Sequence, residues 1–161
     1  MFRAAVSRVA GACVMSAGLF LSQVAAAQDT AVTAPAPGDG MLRIELNRAT
    51  DNDAGGCGLV VMTTNRTDKA IKRAAWQVAI FDQGGVVKAL PVLDFGALTV
   101  GKNKIGVFQV PDGACNTISR IIINDVAECT ADDGTEKGAD LRDICLGGLA
   151  TQTRTDIDFG L

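Results

Sequence analysis

Leu42, Ile44 and Leu46 alternate with Arg43, Glu45 and Asn47, the two-residue period of a strand with one buried face and one wet face. After a loop at 51–58, rich in Asp, Asn and Gly, Cys57 leads into Leu59–Thr64, apolar on both faces and so predicted to be a central strand. Ile71–Asp82 places Trp76, Val78 and Ile80 on one face and Gln77, Ala79 and Phe81 on the other. Trp76, the only tryptophan, is expected in the core. Gln83-Gly84-Gly85 then supplies hairpin chemistry, and Val86–Leu90 is the return strand. Pro91 cannot donate to a ladder, so it bends that strand or confines it to an edge.

Leu93–Phe95 and Leu98–Gly101 lead to a second turn. There Ile105, Val107 and Gln109 begin to alternate with Gly106, Phe108 and Val110, and Asp112-Gly113 ends the strand. Ile118–Val126, with three consecutive isoleucines, is too β-branched for a comfortable helix and reads as a strand buried on both faces. The segment 128–142 reads as a polar excursion, followed by one helical turn over Leu141–Cys145 capped by Asp140. Thr151–Phe159 is read as a last strand with one charged face. Seven or eight short strands joined by turns predict an all-β fold, an immunoglobulin-like antiparallel β-sandwich, with an elongated barrel as the alternative.

The first 27 residues follow a different pattern: Arg3 and Arg8, an apolar run over Val9–Val24, and small residues at Ala25-Ala26-Ala27. This is the pattern of a cleaved export signal, with residues 28–40 as a Pro- and Gly-containing leader and the folded domain over 41–161. The expected location is the periplasm or the exterior, with no membrane insertion after cleavage. Loss of Cys13 with the signal leaves Cys57, Cys115, Cys129 and Cys145, an even set in an oxidising compartment. Four cysteines allow three connectivities. In a seven-stranded sandwich Cys57 starts beside the strand that ends at Val110, which favours Cys57–Cys115 and therefore Cys129–Cys145. With no C-x-x-C spacing and no histidine, a cysteine metal site is not expected.

Signal removal also takes two arginines, leaving 13 basic residues against 18 acidic ones. That acidic balance argues against nucleic acid as the partner. The chain has no histidine and no tyrosine, so the commonest general base is missing. The single serine after position 27 is Ser119, outside any nucleophile motif. Carboxylate pairs such as Asp82 with Asp94, or Asp156 with Asp158, are the remaining hydrolytic option, but acids at turns and on exposed faces are ordinarily solvated. Two acidic stretches, 51–56 and 128–143, carry hard oxygen ligands without EF-hand spacing, which makes calcium or small-ligand binding the alternative function. Arg66, Lys69, Lys72 and Arg73 form a basic cluster opposite in sign to the second stretch, a source of electrical asymmetry.

Val78-Ala79-Ile80-Phe81-Asp82, then Gly85-Val86-Val87, and Leu98, Gly101 and Phe108 together resemble the FxLYD-type domain of secreted and surface proteins of bacteria and archaea. The resemblance spans about 59–110 and implies an immunoglobulin-like fold and an extracytoplasmic setting. It transfers no catalytic residue and no cofactor. The expected function is a non-catalytic exported binding or structural module, with another envelope protein as partner and the edge around Pro91 as its contact.

Overall fold

Two β-sheets face each other across a core that neither could bury alone. The computed structural model describes residues 41–161; the expected export signal (1–27) and leader (28–40) lie outside the described residues. In chain order the elements are β1 (Leu42–Asp51), β2 (Cys57–Asn65), β3 (Ile71–Asp82), β4 (Val87–Ala89), β5 (Val92–Leu98), β6 (Asn103–Val110), β7 (Ile118–Ala131), α1 (Arg142–Gly147), β8 (Leu149–Thr153) and β9 (Asp158–Gly160). One sheet runs β6-β2-β1-β8; the other runs β4-β3-β7-β9, with β5 also paired to β3. The β-sandwich expected from the hydrophobic pattern is the observed fold.

The inward faces of β1 and β2 follow the two-residue period, whereas register shifts in the β3–β7 ladder space the buried residues of β7 by two or three. Leu42, Ile44 and Leu46 meet Leu59 and Val61 on one side of the core, and Trp76, Val78, Ile80, Ile121 and Ile123 on the other. Trp76 is fully buried, lies edge-on to Phe95 at 5.8 Å, and donates its indole N–H to the Cys145 carbonyl at 2.9 Å. Phe95 in turn lies edge-on to Phe108 at 5.2 Å, linking the two sheets along one flank.

Cys57 pairs with Val110 in the β2–β6 ladder, which brings Cys115 within bonding reach of Cys57. The two disulfides are Cys57–Cys115 and Cys129–Cys145, as the strand order favours. The hairpin after β3 turns on Gly85 at φ +77°, while Asp82 Oδ1 accepts from the backbone N–H groups of Gly84 and Val86, both at 2.9 Å.

Three expectations need correction. β7 extends to Ala131 and buries mainly one face, since Ile121, Ile123, Val126 and Cys129 are buried while Arg120 and Asn124 are exposed. The helix begins one residue later than read, and Asp140 accepts from the first helical N–H, that of Arg142, so it sits ahead of the usual capping position. The predicted last strand is two strands in different sheets. β8 pairs parallel with β1, and β9 pairs parallel with β7. Threonines cause the break: Thr153 Oγ1 accepts from Thr155 N at 3.1 Å and donates to Ile157 O at 3.0 Å, and Thr155 Oγ1 accepts from Ile157 N at 3.2 Å. These local bonds occupy backbone groups that a continuous ladder would need.

Candidate functional site

Several of the acids singled out by sequence organise turns. In the 128–143 stretch, Asp133 Oδ1 accepts from the Thr135 hydroxyl at 2.6 Å and its N–H at 3.0 Å, while Oδ2 accepts from Ala139 N at 3.0 Å. The Thr135 hydroxyl, first among these donors, holds the Asp133 carboxyl below its ordinary pKa. In the 51–56 stretch, Asp51 Oδ1 accepts from Cys115 N at 2.6 Å, and Asn52 Oδ1 accepts from the N–H groups of Ala54 and Gly56. Among the described residues no three His, Cys, Asp or Glu side chains converge as a metal site would require.

Asp82 and Asp94 do not assemble as a pair either. Asp94 lies opposite Ala75 of β3, whereas Asp82 ends that strand seven residues on, a separation of roughly 23 Å along the sheet. A glycosidase pair needs about 5–9.5 Å. Asp94 is instead held by Arg73 at 2.6 Å, and that hydrogen bond lowers its pKa most. Ser119 Oγ donates to the Asp82 carbonyl at 2.5 Å, a structural role.

The basic cluster does not stand apart from the acidic stretch. Lys72 Nζ donates to the carbonyls of Thr135 and Glu136 at 3.1 and 2.5 Å, and Arg73 also pairs with Glu128 at 3.1 Å. Two of the four basic residues are thus tied to that stretch, Lys72 through neutral backbone carbonyls and Arg73 through one ion pair.

Two features remain. The first is a groove of about 580 Å³ where the bulge of β1, the β3–β4 turn and the β8–β9 connection meet. Asn47, Arg48 and Arg154 line it together with Asp156, over an apolar floor that includes Ile118 and Ile157. Beside it is a feature that the sequence did not disclose: the Glu45 side chain is only 3% exposed and pairs through Oε1 with Arg154 Nε at 2.7 Å. Asn47 Nδ2 donates to the same oxygen at 2.9 Å. Those donors, Asn47 foremost, pull the Glu45 carboxyl below its ordinary pKa against the opposing effect of burial. Glu45 and Arg154 are 109 positions apart and meet only because β8 runs parallel to β1, a pairing with no local signal.

A depressed folded pKa means that the pair stabilises the fold above the unfolded carboxyl pKa of about 4.3 and loses that contribution as pH falls through the lower folded value. Glu45→Gln is expected to cost about 1–3 kcal/mol at pH 7, because charged hydrogen bonds are lost. Urea titrations of both proteins from pH 7 to pH 3 should show the gap narrowing with acid; a pH-independent gap would contradict the pairing.

The second feature is the flank made by β4, β5 and β6. β4 and β5 both pair with β3, one on each side of the Pro91 break, and form one edge; β6 forms the edge of the other sheet. Of nine exposed large apolar residues among those described, seven lie between positions 86 and 107: Val86, Val87, Leu90, Val92, Val100, Ile105 and Val107. Ile105 and Val107 are 64% and 65% exposed on adjacent outward positions of β6. Val87, Val92, Ile105 and Val107 lie on the edge strands and the other three in the adjoining connections; single exposed apolar residues are unremarkable, but such a concentration is not.

No protein-family model matches the sequence, and no curated protein matches it. A solved structure is similar in fold: IrmA from Escherichia coli, at 9% identity and a TM-score of 0.52, over 70% of this chain and 91% of that one. At that identity the likeness supports the β-sandwich architecture and nothing finer.

Proposed function

We propose that the domain is a non-catalytic exported binding module that takes an extended segment of another envelope protein along the β4–β5–β6 flank. The observation that carries this reading is the clustering of exposed apolar side chains on two neighbouring unpaired edges. β6 is the more receptive edge, an eight-residue strand without proline, whereas the other edge is interrupted at Leu90-Pro91. Strand addition supplies affinity through main-chain hydrogen bonds and specificity through alternate side chains.

Charge narrows the partner. Lys88, Lys102 and Lys104 are all exposed on this flank of a chain whose formal charge is −3, so the fitting segment alternates apolar and acidic positions. Export is supported by the two disulfides. Among the described residues no helix is long and apolar enough to cross a membrane. Kinship with FxLYD-type domains belongs to the same proposal; of the residues behind that resemblance, Val78–Asp82 end β3 and Phe108 lies on β6.

A photo-crosslinking residue placed at Ile105 or Val92 is expected to capture one protein in the native envelope, and the same residue at Asp158 on the opposite flank is not. Equal capture from both flanks, or none from Ile105 and Val92, would overturn the proposal.

A further inference from the structure

We infer that the groove beside the β1 bulge binds a small organic monocarboxylate through Arg154 and Arg48. Its volume of about 580 Å³ lies within the range of small-ligand sites. Arg154 is placed there with unusual firmness for a side chain 60% exposed: Nε is fixed by the buried Glu45 carboxylate, and its backbone N–H donates to Leu46 O at 2.9 Å. Among the described residues neither Nη group of Arg154 has a hydrogen-bond partner. Burying a carboxylate is costly, and here its return is a guanidinium held in one orientation at the groove.

Arg48 lines the same groove, and none of the ion pairs among the described residues involves it. Two guanidinium groups match the planar, two-oxygen geometry of a carboxylate. Asp156 on the rim repels a doubly charged phosphate more than a monoanion, and the floor at Ala49, Ile118 and Ile157 suits an apolar body. Glu45 acts in this site as a positioning residue, since it touches Arg154 and does not line the groove.

The test is titration of the exported protein with hexanoate and, separately, with inorganic phosphate at matched ionic strength, followed by amide and arginine Nε–H NMR. Hexanoate should give saturable shifts confined to the groove residues 47–49, 83, 115, 116, 118 and 154–157, at least ten-fold tighter than phosphate. Arg154→Gln and Arg48→Gln should each weaken hexanoate at least ten-fold while leaving the remaining amide spectrum in place. Glu45→Gln should weaken it several-fold and move the Arg154 Nε–H resonance in the free protein, a change that mere loss of stability would not produce. Non-saturating shifts, equal response to phosphate, or unchanged binding in Arg154→Gln would each overturn the inference. None of these outcomes bears on the β4–β5–β6 flank.

Discussion

Trp76→Ala is expected to destabilise the domain by about 3–5 kcal/mol, the cost of emptying a large core site that cannot fully collapse. Trp76 is completely buried among strands of both sheets, and its indole N–H satisfies the Cys145 carbonyl. Trp76→Phe separates the two contributions. It keeps most of the apolar contact with Phe95 but leaves that carbonyl without its donor, at a cost of about 1–3 kcal/mol. Urea unfolding of the protein measures both, and a Trp76→Ala loss below about 1 kcal/mol would contradict the buried core.

Removing Cys57–Cys115 should cost about 4 kcal/mol, and removing Cys129–Cys145 about 3 kcal/mol, because the first closes the longer loop in the chain-entropy model. The bonded residues are 58 and 16 positions apart. The second bond has an added role, since it ties β7 to the helical turn that presents the Cys145 carbonyl to Trp76. A double-mutant cycle between Trp76→Phe and the Cys129→Ser/Cys145→Ser pair should therefore show coupling of about 0.5 kcal/mol or more. The same cycle with Cys57→Ser/Cys115→Ser should be near additive. Unfolding with intact and serine-substituted disulfides measures both, and an equal or reversed order of losses would contradict the loop-closure account.

The strands that alternate cleanly are legible in the sequence. The inward face of β1, the internal place of β2, the burial of Trp76 and the Gly85 turn follow from local period and turn chemistry, whereas Glu45, on the side of β1 read as wet, is buried. The disulfide pairing followed from the neighbouring of Cys57 and Val110. What stayed hidden depends on contacts distant in sequence. Thr151–Phe159 has a clean alternation, yet its threonines satisfy each other's backbone and split it between two sheets. Once split, it pairs parallel on both sides, and only then does Arg154 reach Glu45.

The candidate sites were less legible than the fold. Acidic spacing suggested calcium ligands, whereas Asp133 and Asp51 take backbone donors within their own loops or a neighbouring one. The basic cluster looked like a free patch until Lys72 and Arg73 were seen to close on nearby carbonyls and carboxylates. Pro91 pointed to an edge, and the edge is there; the exposure of Ile105 and Val107 on β6 was not legible, because that strand carries apolar residues on both faces.

The most direct test of the binding-module account is affinity capture of the protein from native cells, with crosslinking, comparing wild type with an Ile105→Lys/Val107→Glu variant in calcium and in chelator. The account predicts a stoichiometric protein partner that is indifferent to calcium and lost in the variant, while the variant's melting temperature stays close to wild type, since both side chains are exposed. Capture that survives the substitutions, or a melting temperature that rises with calcium and no partner at all, would contradict it and move the working site to the acidic loop.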